Sequence, residues 1–323
     1  MSVLVFTENW DGKFKKLSFE LVSYASKIAE MLKTSTTAVS IGKVDDAELG
    51  KLGTYGADKI VSVSDDKLVN LDNQAYTAVL AEIAEKEEAK TIVFSNNNVG
   101  KAVAPRLSAR LKAGIVSGAI KLPDNVSPFT VTKKVFSGKA FASVIVKSES
   151  KIITLAQNSF ELIEKNNTPS IEQYTPQKGT ELIKTSIKNV EKQTGKIILT
   201  DADIVVSGGR GMKSPDNWGP LEELAETLGA ATACSRPVSD EGWRPPSEHT
   251  GQTGKIIAPN LYIALGISGA IQHLAGISSS KCIVAVNTDK DAPIFEAADY
   301  GIIGDAAKVL PELNSAIKEV KAS

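Results

Sequence analysis

Short β-branched runs alternate with longer amphipathic stretches through the first half of the chain, the pattern of a sheet fed by crossover helices. Val3 to Phe6 reads as a strand, and Ser18 to Leu32 carries apolar residues at Leu21, Val22, Ala25, Ile28, Ala29 and Leu32, a helical spacing. Thr37 to Ile41, Lys59 to Val63 and Thr91 to Phe94 read as further strands, with a helix from Ala75 to Glu85 between the last two. From Phe129 to Leu155 the text becomes strand-rich, and Phe129 to Thr132 and Ala142 to Val146 are expected as antiparallel edge strands. Asn96-Asn97-Asn98 before Gly100 reads first as an N-cap cluster entering a helix.

From about Ile163 to Thr194 the periodicity gives way to polar residues, including Asn166-Asn167-Thr168-Pro169 and Pro176-Gln177-Lys178-Gly179. A domain boundary is placed near Val190, the alternative being a long edge strand wrapped on the first domain. A second α/β unit follows. Asp203 to Ser207, Ala231 to Ser235, Leu261 to Leu265 and Cys282 to Val286 read as strands, the last two apolar enough for a buried parallel sheet. Leu221 to Leu228 and Ala306 to Val320 read as helices. The expected fold is α/β in two domains: residues 1–190 a nucleotide-binding-like sheet domain, and residues 191–323 a doubly wound parallel sheet.

A length of 323 residues suits two domains, each with its own core. The 37 Lys and Arg balance 38 Asp and Glu, so no long-range field draws the chain to nucleic acid or anionic lipid. Cys234 and Cys282 are too few for a disulfide framework, an iron–sulfur cluster or a cysteine zinc site, and read as small buried hydrophobes; no metal site is expected. No apolar run approaches a membrane span and no signal or transit peptide is visible, which gives a cytoplasmic expectation. With two His and two Cys in all, chemistry is expected to come from a cofactor.

Four strands of the second unit end in polar or glycine-rich turns, and in a doubly wound sheet such turns converge on one crevice. They are Gly208-Gly209-Arg210-Gly211, Ser235-Arg236-Pro237, Gly266 to His273, and Asn287-Thr288-Asp289. In the third, Gly266 and Gly269 let the backbone approach a ligand, Ser268 is placed as the helix cap, and free N–H groups of the first turn offer an anion site. Arg210 and Arg236 read as charge partners for a ligand, and His273 as a functional residue on the same short helix. Ser235 to Lys255 reads as a long irregular loop with few apolar anchors, able to fold over a ring system.

These motifs resemble those of the α subunits of electron transfer flavoproteins. The carrying text is Ser235-Arg236-Pro237, Gly251-Gln252-Thr253-Gly254-Lys255, Leu261 to Ala264, the run Gly266-Ile267-Ser268-Gly269-Ala270-Ile271-Gln272-His273-Leu274-Ala275-Gly276, Ala292 to Phe295, and Ala298 to Gly301. The first domain matches in size and strand pattern but carries little family signature. The resemblance implies one FAD, a heterodimer with a β subunit, flavoprotein dehydrogenases such as acyl-CoA dehydrogenases as donors, and a membrane quinone oxidoreductase as acceptor. It implies that Arg210 and the turn of Ser268, Gly269, Ala270, Ile271, Gln272 and His273 hold the pyrophosphate and ribityl region. It further implies that Thr250, Gly251, Gln252 and Thr253 approach the isoalloxazine, with the Thr253 hydroxyl near N5. By the same resemblance Arg236, after Ser235, would lie over the ring, His273 would sit by the N1 and C2 carbonyl edge, and Asn287 and Asp305 would serve the adenosine end, with Ala306 also among the cofactor-binding residues. The segment Arg244 to Thr250 departs from the family pattern, which leaves the contacts of Thr250 open.

The physics agrees with those roles. A reduced flavin carries negative charge at N1 and O2, so a cationic or hydrogen-donating His273 there raises its potential, and Arg236 adds to the effect. An electron carrier also needs no acid–base pair or nucleophile of its own, in line with a chain that is not a substrate-converting enzyme. An electron-bifurcating NADH-dependent relative is the alternative within the family, its second flavin lying in the partner. A nicotinamide dehydrogenase would want Gly-x-Gly-x-x-Gly after a first strand, which neither domain has. A non-catalytic nucleotide-binding scaffold subunit is the remaining reading.

Overall fold

Every residue of β1 (Ser2–Thr7) is buried, and its side chains divide between two cores. Val3 and Val5 pack with Leu21, Ile28, Leu49 and Leu52, whereas Leu4 and Phe6 pack with Val79, Ile83, Val103 and Leu107. A strand buried on both faces belongs in the middle of a parallel sheet with helices on either side. The structure, a computed structural model, describes residues 2–190 and 197–322, and the chain divides into two units, Met1–Val190 and Glu191–Ser323.

In the first unit β1 is followed by α1 (Lys16–Leu32), β2 (Ser35–Ile41), α2 (Asp46–Thr54), β3 (Lys59–Val63), α3 (Asn73–Lys86), β4 (Thr91–Ser95), α4 (Asn98–Leu111) and β5 (Gly114–Ala119). Then come β6 (Phe129–Val135), β7 (Ala140–Val146), β8 (Lys151–Leu155) and β9 (Ser170–Gln173). The sheet runs β7-β6-β5-β8-β4-β1-β2-β3-β9, with the short strand Asn125–Val126 also on β6. β6 and β7 form the expected antiparallel edge. β8 instead enters the middle, parallel to both β4 and β5, because Ile152, Ile153 and Leu155 are apolar toward both cores. Part of the polar stretch after Ile163 is used as well: β9 pairs with β3 at the far edge. Asn97 caps α4 by accepting from Gly100 N–H at 3.0 Å, so the asparagine turn acts as a helix start.

The second unit comprises β10 (Ile204–Gly208), α5 (Gly219–Leu228), β11 (Ala231–Cys234), α6 (Arg236–Asp240), β12 (Leu261–Leu265), α7 (Ile271–Ile277), β13 (Cys282–Asn287), α8 (Ile294–Ala297), β14 (Tyr300–Ile303) and α9 (Ala306–Ala322). Its five strands are all parallel, in the order β11-β10-β12-β13-β14. One face of the sheet holds Tyr262, Ala264, Ile277, Ile283 and Ile294; the other holds Trp218, Leu221, Ile263, Leu265 and Leu310. The alternation Tyr262, Ile263, Ala264, Leu265 thus serves two helical layers, a doubly wound sheet. Cys234 is buried as expected, while Cys282 is only half-buried. Among the described residues no helix is long and apolar enough to cross a membrane.

Candidate functional site

In a sheet of this order the chain leaves its first strand in one direction and returns on the other side, and the carboxyl ends splay apart at that reversal. Here the reversal lies between β10 and β12. A cavity of about 490 Å³ opens there, a volume typical of small-ligand sites. Its first two walls are the turns after those strands, which touch through their backbones. Gly209 N–H donates to the Leu265 carbonyl at 2.9 Å and Gly211 N–H to that of Gly266 at 3.0 Å. A Cβ on Gly209 would stand 2.2 Å from the Gly266 oxygen, so only glycine allows the approach.

The third wall follows β11 and α6. Thr250 N–H donates to the Cys234 carbonyl at 3.0 Å, and Gln252 N–H to that of Gln272 at 2.7 Å, seating this segment against α7. The stretch from Ser235 to Lys255 is therefore not the weakly anchored loop its composition suggests. Val238 is fully buried and Trp243 packs on the same core. Arg244 holds Glu248 through Nε and Nη2 at 2.7 and 2.9 Å, reaches Glu222 at 2.7 Å, and lies 5.5 Å from the Trp218 ring. The i, i+4 spacing of Arg244 and Glu248 is the sequence signal for this anchor.

Arg210, Ser235, Arg236, Thr250, Gly251, Gln252, Thr253, Ser268, Gly269, Ala270, Gln272, His273 and Asn287 all line the cavity. Asn287 is fixed there by donating to the Ile267 carbonyl at 2.9 Å. Ile271, Asp305 and Ala306 stand outside the lining. Ile271 is exposed, Ala306 is buried as the first residue of α9, and Asp305 pairs with Lys213 at 2.6 Å. Asp305 nevertheless continues the same sheet edge, since Gly304 N–H donates to the Asn287 carbonyl at 2.9 Å. Ser268 does not cap the helix as expected: α7 begins at Ile271 with Ala270 at the N-cap position and no side chain capping it. The Ser268 carbonyl instead accepts from Ile294 N–H at 3.0 Å, which bends the turn toward α8. Pro237, Asp240 and His249 also line the cavity without having been assigned to it from sequence; each adjoins an assigned residue or shares its short helix.

The positive charges at the site are on its arginines. Arg236 is exposed and pairs with Asp240 at 3.2 Å, and Arg210 is exposed as well. His273 is buried, its Nε2 2.8 Å from the Tyr262 hydroxyl, and burial pushes its pKa down to about 4, with the Thr250 backbone opposing this in lesser measure. Burial thus favours the neutral, hydrogen-donating form of His273 over the cationic one. His249 is also shifted down, first by burial and then by Arg236, with Asp240 acting the other way. Two buried polar atoms at this site have no hydrogen-bond partner, Thr250 Oγ1 and His273 Nδ1. Such groups are costly unless a ligand satisfies them.

Residues 3–178 match the electron transfer flavoprotein domain, and residues 198–278 match the electron transfer flavoprotein FAD-binding domain. The chain belongs to the electron transfer flavoprotein family, as an α subunit. It is 38% identical to the electron transfer flavoprotein subunit alpha of Bacillus subtilis, with 98% of each chain covered. It is 34% identical to the probable mitochondrial electron transfer flavoprotein subunit alpha of Saccharomyces cerevisiae, covering 99% of this chain and 93% of that one. It is also 33% identical to the acryloyl-CoA reductase electron transfer subunit beta of Anaerotignum propionicum, covering 99% and 96%. This electron transfer flavoprotein subunit binds FAD and serves electron transfer. The cavity fits that cofactor: exposed guanidiniums suit a pyrophosphate, glycine turns admit its approach, and the two unpaired buried atoms suit a polar heterocycle.

Proposed function

We propose that the chain is the FAD-holding α subunit of a heterodimeric electron carrier. Residues 1–190 contact the β subunit, flavoprotein dehydrogenases such as acyl-CoA dehydrogenases donate, and a membrane quinone oxidoreductase accepts. The observation that carries the reading is the cavity at the β10–β12 reversal, where two exposed arginines face a buried neutral histidine whose Nδ1 is unpaired. Bound FAD supplies reversible acceptance of one or two electrons. Arg210 and the Ser268 to Gln272 turn hold the pyrophosphate and ribityl region, and Asn287 with Asp305 and Ala306 continues along the sheet edge to the adenosine. Thr250 to Thr253 pack on the ring, where Thr253 donates its hydroxyl. Arg236, carried by α6 after Ser235, lends positive charge as the ring gains electrons, and His273 donates a hydrogen bond to its carbonyl edge.

The test is reconstitution. Coexpressed with a family β subunit, the chain should purify as a yellow heterodimer with one FAD in this site, bleached by an acyl-CoA dehydrogenase and its substrate. A colourless heterodimer would sink the reading. The resemblance to the Anaerotignum propionicum electron transfer subunit favours a second reading, delivery of electrons toward an acyl-CoA-type partner in an NADH-dependent bifurcating complex. Reduction by NADH together with two flavins per heterodimer would separate the two.

A further inference from the structure

Tyr262 is fully buried on β12, outside the cavity lining, and its hydroxyl meets His273 Nε2 at 2.8 Å. Burial holds the phenol protonated well above the ordinary tyrosine range. The imidazole, also buried, is neutral, so one ring nitrogen carries a proton and the other a lone pair. Ser207 acts on the same phenol oxygen and lowers its pKa, the effect of a hydroxyl donating toward it, so the phenol O–H is left to donate to the imidazole nitrogen. That leaves Nε2 as acceptor and puts the proton on Nδ1, a buried atom of a cavity-lining residue that approaches the Thr250 backbone without closing a hydrogen bond to it.

We infer that Tyr262 is a positioning residue of the flavin site, which fixes His273 in its Nδ1–H tautomer and so reserves a hydrogen-bond donor for an acceptor oxygen of the bound cofactor. With the opposite tautomer a lone pair would meet that oxygen, and the contact would repel. The register of the sheet explains why the device is built from these residues. Tyr262 faces the layer that holds α7, on the side of Ala264 and Ile277, and its ring centroid lies 6.1 Å from that of His273. Phenylalanine at this position would keep the packing and lose the tautomer control. The inference rests on FAD occupying this cavity.

The experiment uses the FAD-loaded protein labelled with [15N]histidine. The chain has only two histidines, and a His273→Asn sample assigns their signals. The expected long-range 1H–15N pattern is that of a protonated Nδ1 at His273 in the wild type. In Tyr262→Phe that single pattern should give way to the Nε2–H form or a mixture, with FAD affinity, read by flavin fluorescence, falling about 5- to 10-fold, the size of one hydrogen bond. In a His273→Asn background the same tyrosine change should alter affinity less than about twofold. A wild-type Nε2–H signal, or an equal penalty in both backgrounds, would overturn the inference while leaving the cofactor site standing. Wild-type protein without flavin in this cavity would overturn both. The wild-type spectrum decides the tautomer even where the variant folds poorly.

Discussion

Gly276 of α7 lies so close to Gly251 that a Cβ on it would stand 2.5 Å from the Gly251 Cα. Both sides of this contact are backbone, so no side-chain movement relieves it. Through it the helix that carries His273 sets the height of the segment that carries Thr250 and Thr253. Alanine at 276 gains up to about 1 kcal/mol of helix propensity and meets an overpacking cost of about 1 to 3 kcal/mol. The Gly276→Ala variant should therefore lose up to about 2 kcal/mol of stability and bind FAD about tenfold more weakly or worse, measured by flavin fluorescence titration. Unchanged affinity would remove this contact from the site.

Arg244 is the second support of the same segment. Its guanidinium is mostly buried between Glu248, Glu222 and Trp218, and Glu248 is itself buried. Removing the arginine strips the buried Glu248 of a two-point ion pair, a loss of about 2 kcal/mol. The Arg244→Met variant should shift the urea midpoint of the second unit strongly, whereas the double change with Glu248→Gln should recover part of that loss. Additive losses in the two single variants would contradict a coupled pair.

His273 gives the apo protein a pH signature. Its folded pKa is depressed to about 4 from an unfolded 6.5. Above pH 6.5 both states are neutral and the residue adds no pH dependence. As pH falls from 6.5 toward 4 the unfolded state takes up a proton that the folded state refuses, so stability is lost across that window. The loss is about 2 kcal/mol between pH 7 and pH 5. Urea unfolding followed by tryptophan fluorescence, for which the second unit has Trp218 and Trp243, should show that slope in the wild type and a flatter one in His273→Asn; equal slopes would exclude the assignment.

Arg236 is exposed and only lightly tied to Asp240, so its substitution tests charge rather than folding. The Arg236→Ala variant should keep its melting temperature within a degree or so and lower the flavin potential by roughly 59 mV per electron for each tenfold change in equilibrium. Spectroelectrochemical titration reads this. Lysine at 236 should restore part of the shift, and a potential indifferent to charge would place the arginine away from the ring.

The sequence alone determined the α/β class, the parallel sheet of the second unit and the turns that form its crevice, because these follow from local chemistry. Strands such as Leu261 to Leu265 announce themselves by an apolar run, and Gly209, Gly266 and Gly269 by the backbone freedom that a close turn requires. The strand-end turns already pointed to Arg210, Ser268 and Asn287, which line the cavity, and the family motif added Thr250 to Thr253. Tertiary structure decided what depends on neighbours distant in sequence. The central place of β8 follows from pairing on both sides, which an isolated Lys151–Leu155 run does not reveal. The anchoring of Ser235 to Lys255 depends on Glu222 and Trp218, well upstream of Arg244. Above all, the charge of His273 was open in the sequence, since an imidazole near its ordinary pKa serves as cation or neutral donor. Burial beside Tyr262 favours the neutral form: enclosing the ring removes the water that would stabilise the charged form, and desolvation is a property of packing.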